Sequence, residues 1–211
     1  MVYSIPTVVD RSVYRKWYAE RVSARDRLIS ATVAQLRRFG VAGTSVSGIL
    51  EDSGLARRTL YLNFPAGKPE LIAAATENAS GITISAVETM VSDSDPAQVV
   101  QTFADRWADS LEANGFSAGC PIVAAALGRQ EAPEAADAAG AAFARWVEVV
   151  TRLVADSGID PEAAEELATT IVATVEGAVI MSMAECSAEP LRRAGRGLAS
   201  LVRARLASQP R

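Results

Sequence analysis

The stretch that decides the fold runs Thr44-Ser45-Val46-Ser47-Gly48-Ile49-Leu50-Glu51-Asp52-Ser53-Gly54-Leu55-Ala56-Arg57-Arg58-Thr59-Leu60-Tyr61-Leu62-Asn63-Phe64-Pro65. Thr44 and Ser45 are natural N-caps, because a side-chain oxygen there accepts from a free N–H of the first helical turn. The spacing predicts a short helix from Ser45 to about Ser53. Gly54 suits the tight turn that follows, since a left-handed backbone costs glycine nothing. A second short helix spans about Arg57 to Asn63 and is broken by Pro65 and Gly67. Val46, Ile49 and Leu50 face the core from the first helix, and Leu55, Leu60 and Phe64 from the second. Arg57, Arg58, Tyr61 and Leu62 are left on the outer face. Two short helices about a glycine turn, packed on a longer preceding helix, make a helix-turn-helix. Such a helix fits the DNA major groove, where arginine donates two bonds to guanine and tyrosine reaches phosphate or a thymine methyl.

The preceding helix is expected from Ala24 to Arg38, with Leu28, Ile29, Val33 and Leu36 at helical spacing and Gly40 and Gly43 at its end. Residues 1–22 carry Tyr14, Trp17 and Tyr18 among Arg11, Arg15, Lys16 and Arg21, and read as an arm or extra helix. Arg15, Lys16, Arg21 and Arg25 could lie over DNA phosphates or form a solvated face. Downstream, a helix opens near Lys68 and runs towards Met90, with Gly81 and the β-branched Ile82, Thr83 and Ile84 as a possible kink. Further helices open at Asp95-Pro96, Cys120-Pro121 (ending before Pro133), Pro133 (ending near Asp156), Asp160-Pro161 (ending near Cys186) and Glu189-Pro190 (ending near Leu206). Period-two alternation is absent, so the fold class is all-α with about nine helices.

Composition agrees. The chain has 211 residues, 49% hydrophobic and 22% charged, with only 6% aromatics. Alanine, a strong helix former, is the commonest residue at 40. A chain this long buries a sizeable core. It has no histidine, which removes serine–histidine and cysteine–histidine catalysis and histidine-based zinc sites. Two cysteines, Cys120 and Cys186, make no disulfide framework and fit a cytoplasmic protein with reduced thiols. The most apolar stretch, Thr170 to Ala184, is broken by Glu176 and falls short of the ~20 residues a bilayer needs. Charges at Asp10, Arg11, Arg15, Lys16 and Glu20 interrupt any signal peptide core. Net charge is −4, but unevenly spread: residues 1–70 hold 11 Lys/Arg against 6 Asp/Glu (+5), and residues 71–211 hold 10 against 19 (−9). A basic head on an acidic body expects a polyanion at the head alone.

The chain resembles the TetR family of transcriptional regulators. The match lies in Thr44-Ser45-Val46-Ser47-Gly48-Ile49-Leu50, Ser53-Gly54-Leu55, Thr59-Leu60-Tyr61, Asn63-Phe64-Pro65 and Gly67-Lys68-Pro69-Glu70-Leu71. The Phe64-Pro65-Ala66-Gly67-Lys68 form and Gly119-Cys120-Pro121 resemble the LmrA/YxaF-type branch. The resemblance implies a helix-turn-helix domain at 23–70 and a C-terminal effector-binding and dimerisation domain at 71–211. It implies that Thr44 and Ser45 touch phosphate, that Arg57, Arg58 and Thr59 enter the groove, and that Tyr61 and Lys68 bind phosphate. Three positions depart from the family pattern. Ala56 stands where a serine usually caps the second short helix, Arg58 where a small residue is usual, and Leu62 where a polar one is common. Gly48 sits inside a helix at a cost of about 1 kcal/mol against alanine.

In the body no catalytic, metal or nucleotide motif stands out, and no cofactor is expected. An apolar effector pocket with a few polar groups is expected among Met90, Phe103, Trp107, Ile122, Phe143, Trp146, Glu176 and Met181. Glu176 interrupts the apolar run Ile171, Val172, Val175, Val179 and Ile180. A buried carboxylate needs a partner or loses its charge; it could bind an effector, sit at a dimer seam or face solvent. Cys120 and Cys186 read as buried small hydrophobes. The stripes Val172, Val175, Val179, Met183 and Leu191, Leu198, Leu201, Val202 are the dimer interface that the resemblance implies.

The expected function is a non-enzymatic regulator, most simply a repressor, bound to a palindromic double-stranded operator as a homodimer and released by a small molecule, without a membrane partner. An α-helical enzyme is the first rival. A non-DNA-binding interaction or small-molecule-binding module on the same fold is the second.

Overall fold

The computed structural model describes residues 23–91 and 95–208. The expected arm at 1–22, with Arg15, Lys16 and Arg21, lies outside the described residues. Among these there are nine α-helices and no strand: α1 (Ala24–Gly43), α2 (Val46–Ser53), α3 (Arg57–Asn63), α4 (Lys68–Val91), α5 (Pro96–Ala113), α6 (Pro121–Leu127), α7 (Pro133–Ala155), α8 (Pro161–Glu185) and α9 (Glu189–Ala207). Side-chain caps set many of the starts. Ser23 accepts from the N–H of Asp26, Ser45 from Gly48, Asp95 from Ala97, and Asp160 from Glu162 and Ala163. Proline occupies the first turn of α5 to α9, where its missing N–H has no helical partner to lose.

Several boundaries differ from the sequence expectation. α1 does not stop at Gly40: it bends there, with Gly40 at φ 65°, and continues to Gly43. α4 runs unbroken through Gly81 to Ile84. Each β-branched residue costs a helix only a few tenths of a kcal/mol, and α4 packs against α1 and α7. α6 ends before Pro133 as expected, at Leu127, because Gly128 turns the chain and its carbonyl takes the N–H groups of Glu131 and Ala132. Cys186 is exposed rather than buried. It caps α8 in a left-handed conformation at φ 48°. α8 has 25 residues and is by length and composition apolar enough to cross a membrane, which corrects the shorter estimate above. In this fold it packs against α5, α7 and α9.

Two apolar cores hold the helices. The first contains Leu28 and Leu36 of α1, Ile49 of α2, Leu60 of α3, Phe64, and Leu71 and Ile72 of α4; Ile122 of α6 and Trp146 of α7 join it. The second joins Val100 and Leu111 of α5, Val154 of α7, Leu167 and Val179 of α8, and Leu191, Leu198 and Val202 of α9. The first core therefore runs across residue 70 into α6 and α7. α1 is tied to the turn before α6 by paired bonds. Arg37 Nε donates to the Gly119 carbonyl at 2.9 Å and Nη2 to that of Ala118 at 3.3 Å, while the Gly119 N–H donates to the Arg37 carbonyl at 2.9 Å.

α9 lies unusually close to α5. A Cβ built on Gly195 would meet the Ala104 Cβ at 2.6 Å, and neither atom can rotate away. Gly195→Ala is expected to destabilise by about 1–3 kcal/mol through overpacking. Gly140→Ala, on an exposed part of α7 with open space around it, is expected to stabilise by up to about 1 kcal/mol through helix propensity. Urea unfolding of the two variants measures both signs.

Candidate nucleic-acid interface and internal cavity

The helix-turn-helix is set by its turn. Gly54 takes φ 63°, and Arg27 Nη2 donates to the Ser53 carbonyl at 2.6 Å, fastening α1 to the turn. Gln35 Nε2 donates to Asp52 Oδ2 at 2.6 Å and fastens α1 to α2. Gly48 gains its reason here: a Cβ on it would come within 2.9 Å of the Gln35 amide oxygen. On α3, Leu60 is buried with Phe64 after it, and the Arg25 guanidinium lies 5.0 Å from the Phe64 ring centroid. The opposite face presents Arg57, Arg58, Tyr61 and Leu62 to solvent. Leu62 is 71% exposed, the least expected residue on that face. Among the described residues no carboxylate pairs with Arg57 or Arg58. In the body, Arg129, Arg152, Arg192, Arg193 and Arg196 are engaged in ion pairs, and Arg106, Arg145, Arg203 and Arg205 form none among the described residues.

Two of the phosphate-contact residues expected from sequence are otherwise occupied. The Thr44 side chain is buried, and both its hydroxyl and its N–H donate to the Gly40 carbonyl, at 2.6 and 3.1 Å. It closes α1 and offers no group to a ligand. Lys68 is half-buried and its Nζ donates to the Val41 carbonyl at 3.1 Å, so one of its three protons is spent holding α4 to α1. Ser45 is exposed and caps α2. Thr59 is half-buried, and its carbonyl accepts from Asn63 Nδ2. The Tyr61 ring lies across Gly67, where a Cβ would come within 3.2 Å of it. Ala56 makes no side-chain cap. α3 thus begins with its first N–H groups unclaimed by a cap.

Between α4, α5, α7 and α8 lies a half-open cavity with room for a water-sized guest over about 50 Å³, and about 490 Å³ of empty space once open solvent is included. Its wall is apolar: Val87, Val99, Val100, Phe103, Val150, Leu153, Ile171, Val172 and Val175, with Trp146 and Glu176. Glu176 Oε2 and Trp146 Nε1 are buried there without hydrogen-bond partners. Burial pushes the Glu176 carboxyl up to about 7, and the nearby Cys120 thiol offsets part of that rise. The Cys120 thiol is itself held well above its usual range by burial and by the Glu176 charge. A thiol kept protonated is a poor nucleophile. A second, open cleft of about 900 Å³, bulk solvent included, runs between α1, α4 and α5. Met90, Arg106 and Trp107 line it with Arg37 and Thr83, and Phe103 lines both cleft and cavity.

Residues 96–197 match the family described as transcriptional regulator LmrA/YxaF-like, C-terminal domain. An uncharacterized helix-turn-helix-type transcriptional regulator of Mycobacterium tuberculosis is 27% identical over 194 residues, covering 89% of this chain and 98% of that protein. The helix-turn-helix-type regulator LmrA of Bacillus subtilis is 26% identical over 170 residues, 80% of this chain and 90% of that one. A solved TetR transcriptional regulator from Chloroflexus aurantiacus superposes with a TM-score of 0.71 at 28% identity, over 85% of this chain and 94% of that one. Over most of its length the chain is similar to TetR-type transcriptional regulators. Its fold and its helix-turn-helix are those of a TetR-type transcriptional regulator, which the N-terminal motif and the C-terminal match now indicate independently.

Within this TetR-type body the structure redistributes the residues expected for pocket and interface. Phe103, Trp146 and Glu176 line the cavity, and Met90 and Trp107 the cleft. Ile122 is sealed in the first core. Phe143 packs edge-on against Trp146, centroids 5.5 Å apart, behind the cavity wall. Met181 is 54% exposed on the outside of α8. The proposed interface stripes are corrected more fully. Val175, Val179, Leu191, Leu198 and Val202 are buried inside the single chain, Leu201 and Met183 pack on the second core, and Val172 lines the cavity. Apolar helix stripes seek the nearest apolar surface, and here α5 and α7 supply it. Val87, Val99, Val100, Val150 and Leu153 were missed because valine and leucine at helical spacing look the same in a cavity wall and in a core.

Glu176 has a consequence for stability. Its native pKa lies above the unfolded value, so the native state holds the proton more tightly. Stability from this group is full below pH 4.5 and is lost as pH rises through about 7. Glu176→Gln keeps the shape and removes the titration. At pH 8 it is expected to raise stability by up to about 3 kcal/mol, and at pH 4 to change it little. Thermal unfolding across this range reads the difference directly.

Proposed function

We propose that this protein is a ligand-responsive repressor of the TetR type. It binds a palindromic operator as a homodimer and leaves the DNA when a small molecule enters the cavity between α4, α5, α7 and α8. The observation that carries the DNA reading is the outer face of α3, where Arg57 and Arg58 stand exposed with no carboxylate partner among the described residues. Arginine's fork matches the two acceptors of guanine in the major groove. Ser45 and Tyr61 stand exposed beside it, and Arg25 and Lys68 add positive charge.

The homodimer reading rests on an exposed, small-residue face. On α8 it comprises Thr170, Ala173, Thr174, Ile180, Met181 and Ala184, with the half-buried Gly177 among them. On α9 it comprises Gly197, Ser200 and Ala204, with Arg193 and Arg196 held to Glu189 at its start. Ile180 and Met181 are 52% and 54% exposed, a large apolar area for a helix end with nothing over it. Two-fold pairing of α8 and α9 would cover it and set two α3 helices to face grooves about 34 Å apart.

Release requires that the ligand bind two conformations unequally. A physical route exists. Glu176 sits by Cys120, the residue next to Gly119, and Gly119 is bonded to Arg37 of α1. Val87 of α4 lines the same cavity, and α4 begins at Lys68, which holds Val41. A ligand that shifts either wall shifts the helix-turn-helix.

Selection of sites from random duplex DNA, in about 150 mM salt to suppress phosphate-only binding, is expected to enrich a palindrome. Arg57→Ala with Arg58→Ala should abolish its specific recognition, at about 1–3 kcal/mol per good base contact. Normal binding by the double variant would overturn the α3 assignment. No enrichment by the unaltered protein would favour the interaction-module reading, to which the exposed Leu62 would then belong.

Met181→Asp places a charge in the proposed two-fold face. It is expected to yield a monomer by light scattering and to weaken operator binding; a dimer of unchanged stability would move the interface elsewhere.

A further inference from the structure

The cavity wall carries one unmet electrostatic demand. Among the described residues that line it, Glu176 is the only titratable one. The groups facing it from the packed helices are Val87 from α4, Val99, Val100 and Phe103 from α5, and Trp146, Val150 and Leu153 from α7. From its own helix they are Ile171, Val172 and Val175. Among the described residues the Cys120 thiol, at the start of α6, is the sole other titratable group acting on it, through a hydrogen bond to the carboxyl, and no lysine or arginine reaches it. Its Oε2 accepts no hydrogen bond, and the Trp146 Nε1–H beside the same cavity donates none. A carboxylate taken from water without a countercharge is strongly disfavoured, and leaving a buried donor unmatched costs as well. Both would be relieved by the same guest.

We propose that the cavity takes an apolar, ring-bearing small molecule with one protonated amine, which pairs with the Glu176 carboxylate, and one acceptor oxygen, which receives the Trp146 Nε1–H. The proposal rests on the effector reading above and names the chemistry of its ligand. The apolar wall supplies most of the contact area, and Glu176 supplies selectivity by sign. An anionic ligand would set a second negative charge beside a carboxyl that has no countercharge. A neutral alcohol would find apolar contact but leave the charged form of Glu176 unstabilised. An amine cation brings the missing partner into a place where water does not screen it. Phe103 stands between the cavity and the open cleft that runs along α1, α4 and α5.

Proton linkage gives a signature that mere hydrophobic binding lacks. With Glu176 near 7, roughly a tenth of it is ionised at pH 6 and roughly nine tenths at pH 8. The amine stays protonated throughout, so its affinity should rise about 10-fold over this interval as the competent form becomes populated. At pH 7 each bound amine should release about half a proton.

The probes are 4-phenoxybutylamine and its neutral counterpart 4-phenoxybutan-1-ol, titrated by calorimetry into the full-length protein in two buffers of different ionisation enthalpy. The expected result is tighter binding of the amine than of the alcohol at pH 8, the 10-fold pH dependence, and proton release at pH 7. In Glu176→Gln the amine's advantage and its pH dependence should both vanish while the alcohol's affinity stays. If that variant does not fold, the proton release in the unaltered protein still decides. An amine that does not bind, binds no better than the alcohol, or releases no proton overturns the proposal. Operator release is followed separately by fluorescence anisotropy of labelled duplex. An amine that binds with these signatures yet leaves the duplex bound keeps the site and removes its regulatory role. An amine that fails while the alcohol dislodges the duplex keeps the effector reading and overturns the amine class.

Discussion

The double duty of α1 governs the rest of the structure. One side of this helix carries the helix-turn-helix: Arg27 holds the turn at Ser53, Gln35 holds Asp52, and Leu28 and Leu36 bury against Ile49 and Leu60. The other side is bound to the body through Arg37, whose guanidinium takes two carbonyls of the turn before α6 and lies 5.8 Å from the Trp107 ring centroid. A helix packed on both sides cannot tilt without disturbing both. The exposed face of α3 is therefore mechanically continuous with the walls of the open cleft. The shared first core enforces this, because Ile122 and Trp146 pack in the same apolar unit as Phe64 and Leu71.

That continuity also explains the contrast between the two ends of the chain. Head arginines that a polyanion would meet are left unpaired, while Arg192 spends its charge on Asp109 and Glu112 at 2.9 and 2.7 Å, clamping α9 to α5. Exposed pairs of this kind add little stability. They do neutralise part of an acidic surface.

Inside the body the polar exceptions carry the information. Most of the cavity wall is branched aliphatic side chain, indistinguishable in chemistry from the cores beside it. Glu176 and Trp146 differ because each keeps a polar atom that the protein itself does not satisfy. Natural interiors contain few such groups, and each needs a reason. Here the simplest reason is a guest that completes them.

Local chemistry was enough for the order and type of the helices. Caps at Ser23, Ser45, Asp95 and Asp160, prolines in first turns, and Gly54 in a left-handed turn act within a few residues, so they are written in the chain order itself. The outer position of Arg57, Arg58, Tyr61 and Leu62 followed from the same short-range periodicity. What only the tertiary structure decided is which partner each apolar stripe finds. Val175, Val179, Leu198 and Val202 have the pattern of an interface, yet they are covered by α5 and α7 of their own chain, which leaves the small and exposed residues of α8 and α9 outside. Thr44 reads as a phosphate ligand until the bend at Gly40 brings a carbonyl onto its hydroxyl. Glu176 kept three open readings until helices distant in sequence closed around it. Periodicity states which face of a helix is apolar, but burial depends on contacts between residues far apart in the chain, and no local spacing encodes those.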